Sequence, residues 1–457
     1  MKASGISLRQ SFALFKDKRL LAIFILGCCS GLPWVLIGSS MSAWLQESGL
    51  SRSAIGYFGS VFAVYAINWM WAPLVDRINI PLFTRLLGHR KSWVVCCMSG
   101  ISLCCAAIGL TNPENSLLWT SLLAFCIALL SATQDIAIDA YRIEIIGEDD
   151  SESIPHAASM ATSGWWAGYS LIGAMAFYLS DADSLGWQHV YLFLAASVVV
   201  LLGIVCFLNE PDTDRVAQQQ QAELRYQKQL DQQLGHGIIN RLSSWLMVSV
   251  VEPFVDFFKR NGLQIGLLVL SFIFLFKIGE AFLGRMSIVF YKEIGFSNSD
   301  IATYSKLIGG WLTIAFAITG GIINTRLGII KGLFIGGLAM ASSNLMFAWL
   351  ASTGPDPQLF AAAVVVDGFT SAFATVTFVA FISYLTGHTY TATQYALMAS
   401  LGNLGRTTLS AFSGELVDYL QGDWSLFFVL TALMVIPSLL LLCWIAYLLH
   451  KKEQQAL

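Results

Sequence analysis

Long apolar stretches separated by short polar ones recur along the whole chain. Each holds about twenty predominantly apolar residues, enough for a helix that crosses the hydrocarbon core of a bilayer. The pattern predicts an all-α membrane protein with twelve transmembrane helices, called spans 1 to 12 below. In order they lie near residues 20–44, 54–74, 92–110, 117–141, 157–179, 188–208, 263–290, 301–323, 329–351, 358–385, 394–417 and 424–449.

One long polar stretch divides the spans into six and six. We therefore predict an N-terminal six-helix half (1–208), a cytoplasmic linker (209–262) and a C-terminal six-helix half (263–457). A weak internal repeat supports this division, because Ala158–Gly164 in span 5 resembles Ala396–Gly402 in span 11 at an offset of 238 residues. The halves are thus expected to be two pseudo-repeats.

The end of the linker has apolar residues at helical spacing. Residues 238–260 predict an amphipathic helix that is interrupted at Pro253. Two placements stay open: the helix lies on the inner leaflet, or it packs against the cytoplasmic ends of the bundle.

The composition agrees with a membrane protein. Of the 457 residues 56% are hydrophobic and 12% charged, more apolar material than a soluble core encloses. The net charge of −3 and the absence of a basic run with interleaved aromatics exclude nucleic acid as a partner. The nine cysteines lie in apolar stretches without C-x-x-C spacing, so no metal site is expected.

The distribution of Lys and Arg predicts the orientation. With the amino terminus in the cytoplasm, cytoplasmic loops and termini hold twenty of the 26 basic residues, and the outer loops hold only Arg52 and Lys292. The other four lie within spans. Because basic residues concentrate in cytoplasmic loops, both termini are expected there.

Several charged residues fall at bilayer depth in the second half. Lys277 and Glu280 share one face of span 7, Asp367 and Arg406 lie at similar depth in spans 10 and 11, and Lys306 lies nearer the outside in span 8. A charge at this depth costs at least about 2.5–3.5 kcal/mol, so it faces a partner or an aqueous cavity.

Two interpretations of these charges stay open. In the functional one, Lys277, Lys306 and Arg406 bind carboxylates of an anionic substrate, and Glu280 or Asp367 carries a coupling proton. In the structural one, Lys277 pairs with Glu280 and Asp367 with Arg406, and the pairs only hold helices together.

Span 4 carries a polar stripe in the first half. Asp135, Asp139 and Arg142 lie within about 60° of one another on an ideal helix, with Gln134 to one side. Gln134 and Asp135, the deeper residues, are candidates for contact with substrate, and Asp135 also for the proton. Asp139 and Arg142, which can pair with each other, are candidates for gating.

The loop between spans 2 and 3 supplies the other gating candidates, Asp76, Arg77, Arg90 and Lys91. Charges here and after span 4 are expected to hold the cytoplasmic side closed and then release it. A static cap on the helix ends is the alternative. This loop resembles the signature G-x-x-x-D-R-x-G-R-R of the major facilitator superfamily, with Ala72 at the first glycine and an insertion before Gly88. The resemblance implies the fold of that superfamily, with binding midway between the halves.

Stretches from about residue 20 to 430 carry a narrower resemblance. They are Gly27–Pro33, Trp71–Arg77, Ser131–Ala140, Asp256–Asn261, Lys277–Phe282, Ala392–Leu397 and Gly405–Arg406. Together they resemble the AmpG-type muropeptide permeases of Gram-negative bacteria, although Glu280 stands where some relatives have Asp.

The resemblance implies a proton symporter of the bacterial inner membrane. Its cargo would be N-acetylglucosaminyl-1,6-anhydro-N-acetylmuramyl peptides, imported from periplasm to cytoplasm for peptidoglycan recycling and for signalling to β-lactamase induction. The expected partners are this anionic glycopeptide, protons and membrane lipid. The protein is expected to be a monomer. No cofactor is expected, and the proton gradient supplies the driving force.

Three other functions are less well supported by the sequence. A facilitator for another cargo, such as an acetyl-coenzyme A-like molecule, a sugar or a peptide, remains the main alternative. An intramembrane enzyme is disfavoured because the six histidines lie mostly at span ends or in loops, without a nucleophile and base in one motif. A channel is disfavoured because the unlike charges suggest no selectivity ring.

Overall fold

The computed structural model describes residues 17–49, 58–111, 117–147, 150, 152–180, 186–211, 221, 224, 247–296 and 309–456. These residues are helical throughout, without a strand. The first half contains α1 (Lys18–Trp34), α2 (Ser40–Glu47), α3 (Val64–Ile67), α4 (Ala72–Arg77), α5 (Phe83–Leu87), α6 (His89–Gly109), α7 (Leu117–Ile146), α8 (Ile154–Ser180) and α9 (Trp187–Cys206).

The linker and the second half complete the bundle. They contain α10 (Glu252–Asn261), α11 (Leu263–Leu275), α12 (Ile278–Glu293), α13 (Gly309–Leu327), α14 (Ile329–Thr353), α15 (Pro357–Leu385), α16 (Thr391–Ser410), α17 (Ser413–Tyr419), α18 (Trp424–Leu433) and α19 (Ile436–Ala456). Within the described residues every predicted span thus coincides with helix, and spans 1, 2, 7, 11 and 12 each consist of more than one helical piece.

Eight helices of the described chain are long and apolar enough to cross a membrane: spans 1, 3, 4, 6, 7, 9, 10 and 12. The described parts of spans 2, 5, 8 and 11 fall short of that length or hydropathy. The contacts between the halves centre on spans 5 and 11: α8 packs on α13 and α15, of spans 8 and 10, and α16 packs on α4 and α7, of spans 2 and 4.

Each half has its own apolar core. The first half forms one large cluster of buried residues from Ala22 to Val205, and the second half forms two. Few residues cross over: Ala392 and Ala396 of α16 join the first-half cluster, and Ile143 of α7 and Ala158 of α8 join one in the second half. The two halves therefore meet along an interface that few core residues cross.

Glycines let span 1 pack directly on span 5. A Cβ atom at Gly31 would lie 2.1 Å from the carbonyl oxygen of Trp165, and one at Gly168 would lie 2.3 Å from that of Cys28. Contacts this short are possible only without a side chain, so backbone meets backbone here. The close approach fixes α1 against α8, which together carry part of the site described below.

We predict that Gly168→Ala destabilises the protein. The added methyl group must push α8 away from α1, which costs about 1–3 kcal/mol by the usual penalty of overpacking. The melting temperature in detergent should fall by several degrees. Gly203→Ala is the matched control, because a Cβ atom at Gly203 meets nothing within 4 Å. If Gly168→Ala melted no lower than Gly203→Ala, the packing argument would be wrong.

Candidate functional site

The carboxylate of Asp76 joins the two halves at one end of the bundle, called the Asp76 end below. Asp76 lies at the end of span 2, and it accepts hydrogen bonds from the backbone N–H groups of Ala392 (3.2 Å) and Thr393 (2.8 Å) and from the Thr393 hydroxyl (2.6 Å). The N-cap residue of α16, Tyr390, provides no side-chain cap of its own. A carboxylate from the first half therefore caps a helix of the second, where the helix dipole favours negative charge.

Arg90 holds Asp76 from within the first half. Its guanidinium donates to Asp76 (2.7 Å) and to Glu144 at the end of α7 (2.5 Å), and all three side chains are fully buried. A buried cation between two carboxylates is stable only when each group finds partners. Asp76 and Arg90 are both among the predicted gating residues. Glu144 was not predicted, because its only signal is its position near the end of span 4.

Lys91 and Arg77 lie beside this network. Lys91 Nζ donates to the carbonyl of Leu208 (2.6 Å), and Arg77 is half-buried at the end of α4. Glu210 accepts the backbone N–H groups of Arg90 (2.6 Å) and Lys91 (3.1 Å), so it caps α6. Burial of Glu210, which lies beyond the end of span 6, raises the pKa of its carboxyl group.

Arg142 makes a second contact between the halves at the same end. It pairs with Asp139 on its own helix (2.9 Å), as one of the predicted arrangements had it, and it donates to the Ser383 hydroxyl of α15 (2.7 Å). Its guanidinium carbon also lies 5.0 Å from the ring centroid of Tyr395 in α16. Next to it, a cavity of about 280 Å³ lies between the halves.

The linker helix packs on the bundle, which is one of the two placements left open. Gln394 of α16 donates to the Pro253 carbonyl (2.8 Å) and to Asp256 (2.9 Å), and it accepts from Arg260 (2.8 Å). Pro253 stands in the first turn of α10, so the α-helix begins there, after a π-turn at Met247–Val251. The rest of the predicted amphipathic helix, 238–246, lies outside the described residues.

Span 1 is broken at mid-depth by Pro33. Proline has no backbone N–H group, so the carbonyl of Cys29, four residues earlier, loses its helical donor. The amide nitrogen of Gln134 supplies the missing hydrogen bond (2.9 Å). Gln134 is fully buried, so in this structure it holds span 1 to span 4, and contact with a substrate stays a prediction.

Asp135 stands at the same depth and is partly exposed. It accepts a hydrogen bond from the Ser30 hydroxyl of span 1 (2.5 Å), and the phenol of Tyr65 in span 2 lies near it. A group of aromatic side chains around Trp34 and Trp165 lies next to it. This aromatic group was not predicted from the sequence, because aromatic residues are common throughout a membrane-spanning chain.

Lys277 and Glu280 form an ion pair (2.8 Å) on the broken helix of span 7. Lys277 stands at the junction of α11 and α12, and its Nζ also donates to the Thr375 hydroxyl of span 10 (2.6 Å). Glu280 lies in the first turn of α12, where the helix dipole favours a carboxylate. The predicted ion pair is therefore found.

Asp367 and Arg406 are not paired with each other among the ion pairs of the described residues. Asp367 accepts from the Ser343 hydroxyl (2.9 Å) and is partly exposed. The side chain of Arg406 is exposed, yet close enough to interact electrostatically with Lys277 and Glu280. Lys306 lies outside the described residues.

The two halves, their separate cores and the charges at mid-depth define a membrane transporter. The family model described as Major Facilitator Superfamily matches residues 23–405. The chain therefore belongs to that superfamily. It is accordingly a transporter and not an enzyme.

Relatives narrow this further. Putative transporter AmpG 4 of Rickettsia conorii is 34% identical over 94% of this chain and 97% of its own length. The anhydromuropeptide permease of Escherichia coli (strain K12) is 29% identical over 95% of this chain and 81% of its own. The proton:xylose symporter XylE has the same fold, with a TM-score of 0.64 at 14% identity over 94% of this chain and 95% of that one.

We predict that Asp76→Asn opens the Asp76 end. The neutral amide accepts more weakly from the end of α16 and leaves Arg90 with one carboxylate, so the closed arrangement loses about 1–3 kcal/mol. In a cysteine-free background, spin labels at Asn79 and Lys331 should show a larger population of long distances.

Asp423→Asn is the control for this variant. Asp423 caps α18, and asparagine caps a helix as well as aspartate does. An unchanged distance distribution in Asp76→Asn would contradict the gating role.

Proposed function

We propose that the protein imports anhydromuropeptides, N-acetylglucosaminyl-1,6-anhydro-N-acetylmuramyl peptides, from periplasm to cytoplasm together with protons. The cargo rests on one observation, the similarity to the anhydromuropeptide permease of Escherichia coli over 95% of the chain. In this proposal the protein lies in the inner membrane as a monomer, serves peptidoglycan recycling and supplies the signal for β-lactamase induction.

The orientation follows from charge. The loop that contains Asp76, Arg77, Arg90 and Lys91 holds four Lys and Arg residues, the linker holds six and the carboxyl terminus two, so we assign the Asp76 end to the cytoplasm. The contacts of Asp76 and Arg142 with the second half then close the cytoplasmic side. Alternating access requires that these contacts break when the cargo leaves.

The substrate site is proposed at mid-depth between the halves. Lys277 and Arg406 would bind carboxylates of the peptide stem, with Lys306 nearer the periplasm. Arg406 is the best suited to bind a carboxylate, because its guanidinium is exposed and is not in an ion pair among the described residues. Lys277 is already paired with Glu280, so a substrate carboxylate would have to share it.

Asp135 and Asp367 are the better proton carriers. Among the described contacts each accepts from a serine hydroxyl, Ser30 or Ser343, and neither is paired with a cation. A carboxylate at bilayer depth without a cation is costly when charged, so it takes up a proton readily. Glu280 is less suited because Lys277 already neutralises it.

Uptake into membrane vesicles tests the cargo. Vesicles that contain the protein should accumulate labelled anhydromuropeptide when the outside is acidic, and a protonophore should abolish the accumulation. Vesicles without the protein are the control. If no uptake occurred with any gradient, the muropeptide cargo would be wrong and the transporter fold would stand.

Neutral variants test the proton carriers. We expect Asp135→Asn or Asp367→Asn to lose accumulation driven by a pH gradient while keeping exchange of labelled for unlabelled cargo, because exchange needs no net proton movement. Asp356→Asn, at the start of the same helix as Asp367, is the control, since asparagine retains the cap there. Accumulation at the level of the unsubstituted protein would remove that residue as a carrier.

A further inference from the structure

The structure assigns the two parts of the cargo to different halves: we propose that the disaccharide stacks on an aromatic surface of the first half and the peptide lies against the charges of the second. We call this surface the aromatic cradle and define it by Trp34, Phe62, Tyr65, Trp165 and Tyr169. The proposal rests on the proposed function and specifies where each part of that substrate binds.

The cradle combines rings from three spans. Around Trp34 of span 1, the ring centroids of Phe62 and Tyr65 in span 2 lie at 4.6 and 5.0 Å, and that of Trp165 in span 5 at 5.8 Å. Trp165 and Tyr169 are one turn apart and stack nearly parallel, with centroids 5.4 Å apart and an interplanar angle of 16°. Together these rings offer an extended aromatic surface.

Partial exposure distinguishes the cradle from core packing. All five rings are partly exposed. The aromatic side chains of the second-half core, by contrast, are buried, and Phe272, Phe276, Phe427 and Phe428 have 0% exposure. Close backbone packing of Gly31 on Trp165 holds the Trp165 backbone in place while its ring remains accessible.

Polar groups border the cradle on one side. Ser30 is one turn before Trp34 on α1, so both lie on the same face, and Ser30 is bonded to the partly exposed Asp135. The phenol of Tyr65 lies near Asp135 and Ser131. A pyranose ring has an apolar C–H face and a rim of hydroxyl groups. Flat rings beside a carboxylate and hydroxyls match both parts of such a ring.

The backbone of span 1 supports a binding role. Pro33 and the π-turn Val35–Ser39 follow directly on the residues that reach Asp135, so the helix is irregular where the cradle is built. Irregular backbone within a membrane is tolerated where it lines a cavity, and π-turns in helices often mark functional sites.

The cradle and the charged cluster lie at comparable distances from the Asp76 end, one in each half. Asn68, three residues after Tyr65, contacts Ser400 of α16 (2.9 Å), and Arg406 is six residues further along that helix. With a rise of about 1.5 Å per residue, Arg406 is about 22 Å from the start of α16, and Trp165 is about 16 Å from the start of α8 at the same end. The two surfaces therefore lie at comparable depth, as a cargo that touches both requires.

A competition experiment tests the division. The purified protein in nanodiscs is saturated with labelled anhydromuropeptide, which is displaced either by the disaccharide without peptide or by the free peptide without sugar. We expect Trp165→Ala to weaken displacement by the disaccharide by about tenfold, the order expected for one lost stacking contact, and to leave displacement by the peptide unchanged. Trp165→Phe should retain most of the affinity for the disaccharide. Lys277→Met should weaken displacement by the peptide only.

Controls separate stacking from folding. Trp119→Ala removes an exposed tryptophan from the start of α7, within a row of exposed apolar side chains, and should change neither competition. If Trp165→Ala does not fold, Tyr169→Leu removes the second stacked ring while keeping an apolar side chain of similar size, and the same loss of disaccharide affinity is expected.

The outcomes distinguish the two proposals. If the unsubstituted protein bound no labelled anhydromuropeptide, the proposed function would fail. Suppose that it bound this cargo but Trp165→Ala, or Tyr169→Leu in its place, weakened displacement by both competitors equally or by neither. The division between the halves would then be overturned, and the proposed function would stand.

Discussion

The buried carboxylate of Asp76 constrains the arrangement of the whole bundle. A charge without water needs several donors, and Asp76 finds them in Arg90 of its own half and in the end of α16 in the other. The first-half partner remains when the halves separate, and Arg90 also keeps Glu144. If the halves separate at this end, Asp76 exchanges its α16 donors for water and keeps Arg90, so one charged site can favour the closed end without making it permanent.

Both halves interrupt their first span at mid-depth, although by different means. In span 1, Pro33 removes a backbone donor, and Gln134 of span 4 satisfies the carbonyl left behind. In span 7, the break at Lys277 places a cation at the junction and a carboxylate in the first turn of the next helix. The pseudo-repeat thus conserves the position of the break, while the chemistry beside it is polar and aromatic in one half and ionic in the other.

The sequence predicts the spans, the halves and the pairs that lie one turn apart, such as Lys277 with Glu280 and Asp139 with Arg142, because local periodicity determines them. It does not predict the cap that Asp76 provides to α16, the bond from Gln134 to the Cys29 carbonyl or the grouping of the aromatic cradle. In each case residues more than 100 positions apart are joined, and their contact depends on how spans pack. Hydropathy also could not show which spans face the other half.

Unequal halves have a consequence for the transport cycle. A cargo held by one half alone would bind both conformations about equally, and a ligand with equal affinity for two states shifts neither. A cargo that touches the aromatic cradle and the exposed Arg406 together binds best when these walls are close. Its contribution can then offset the loss of the Asp76 and Arg142 contacts at the other end. The extended shape of a disaccharide with a peptide stem suits that coupling, because the two walls recognise different chemistry.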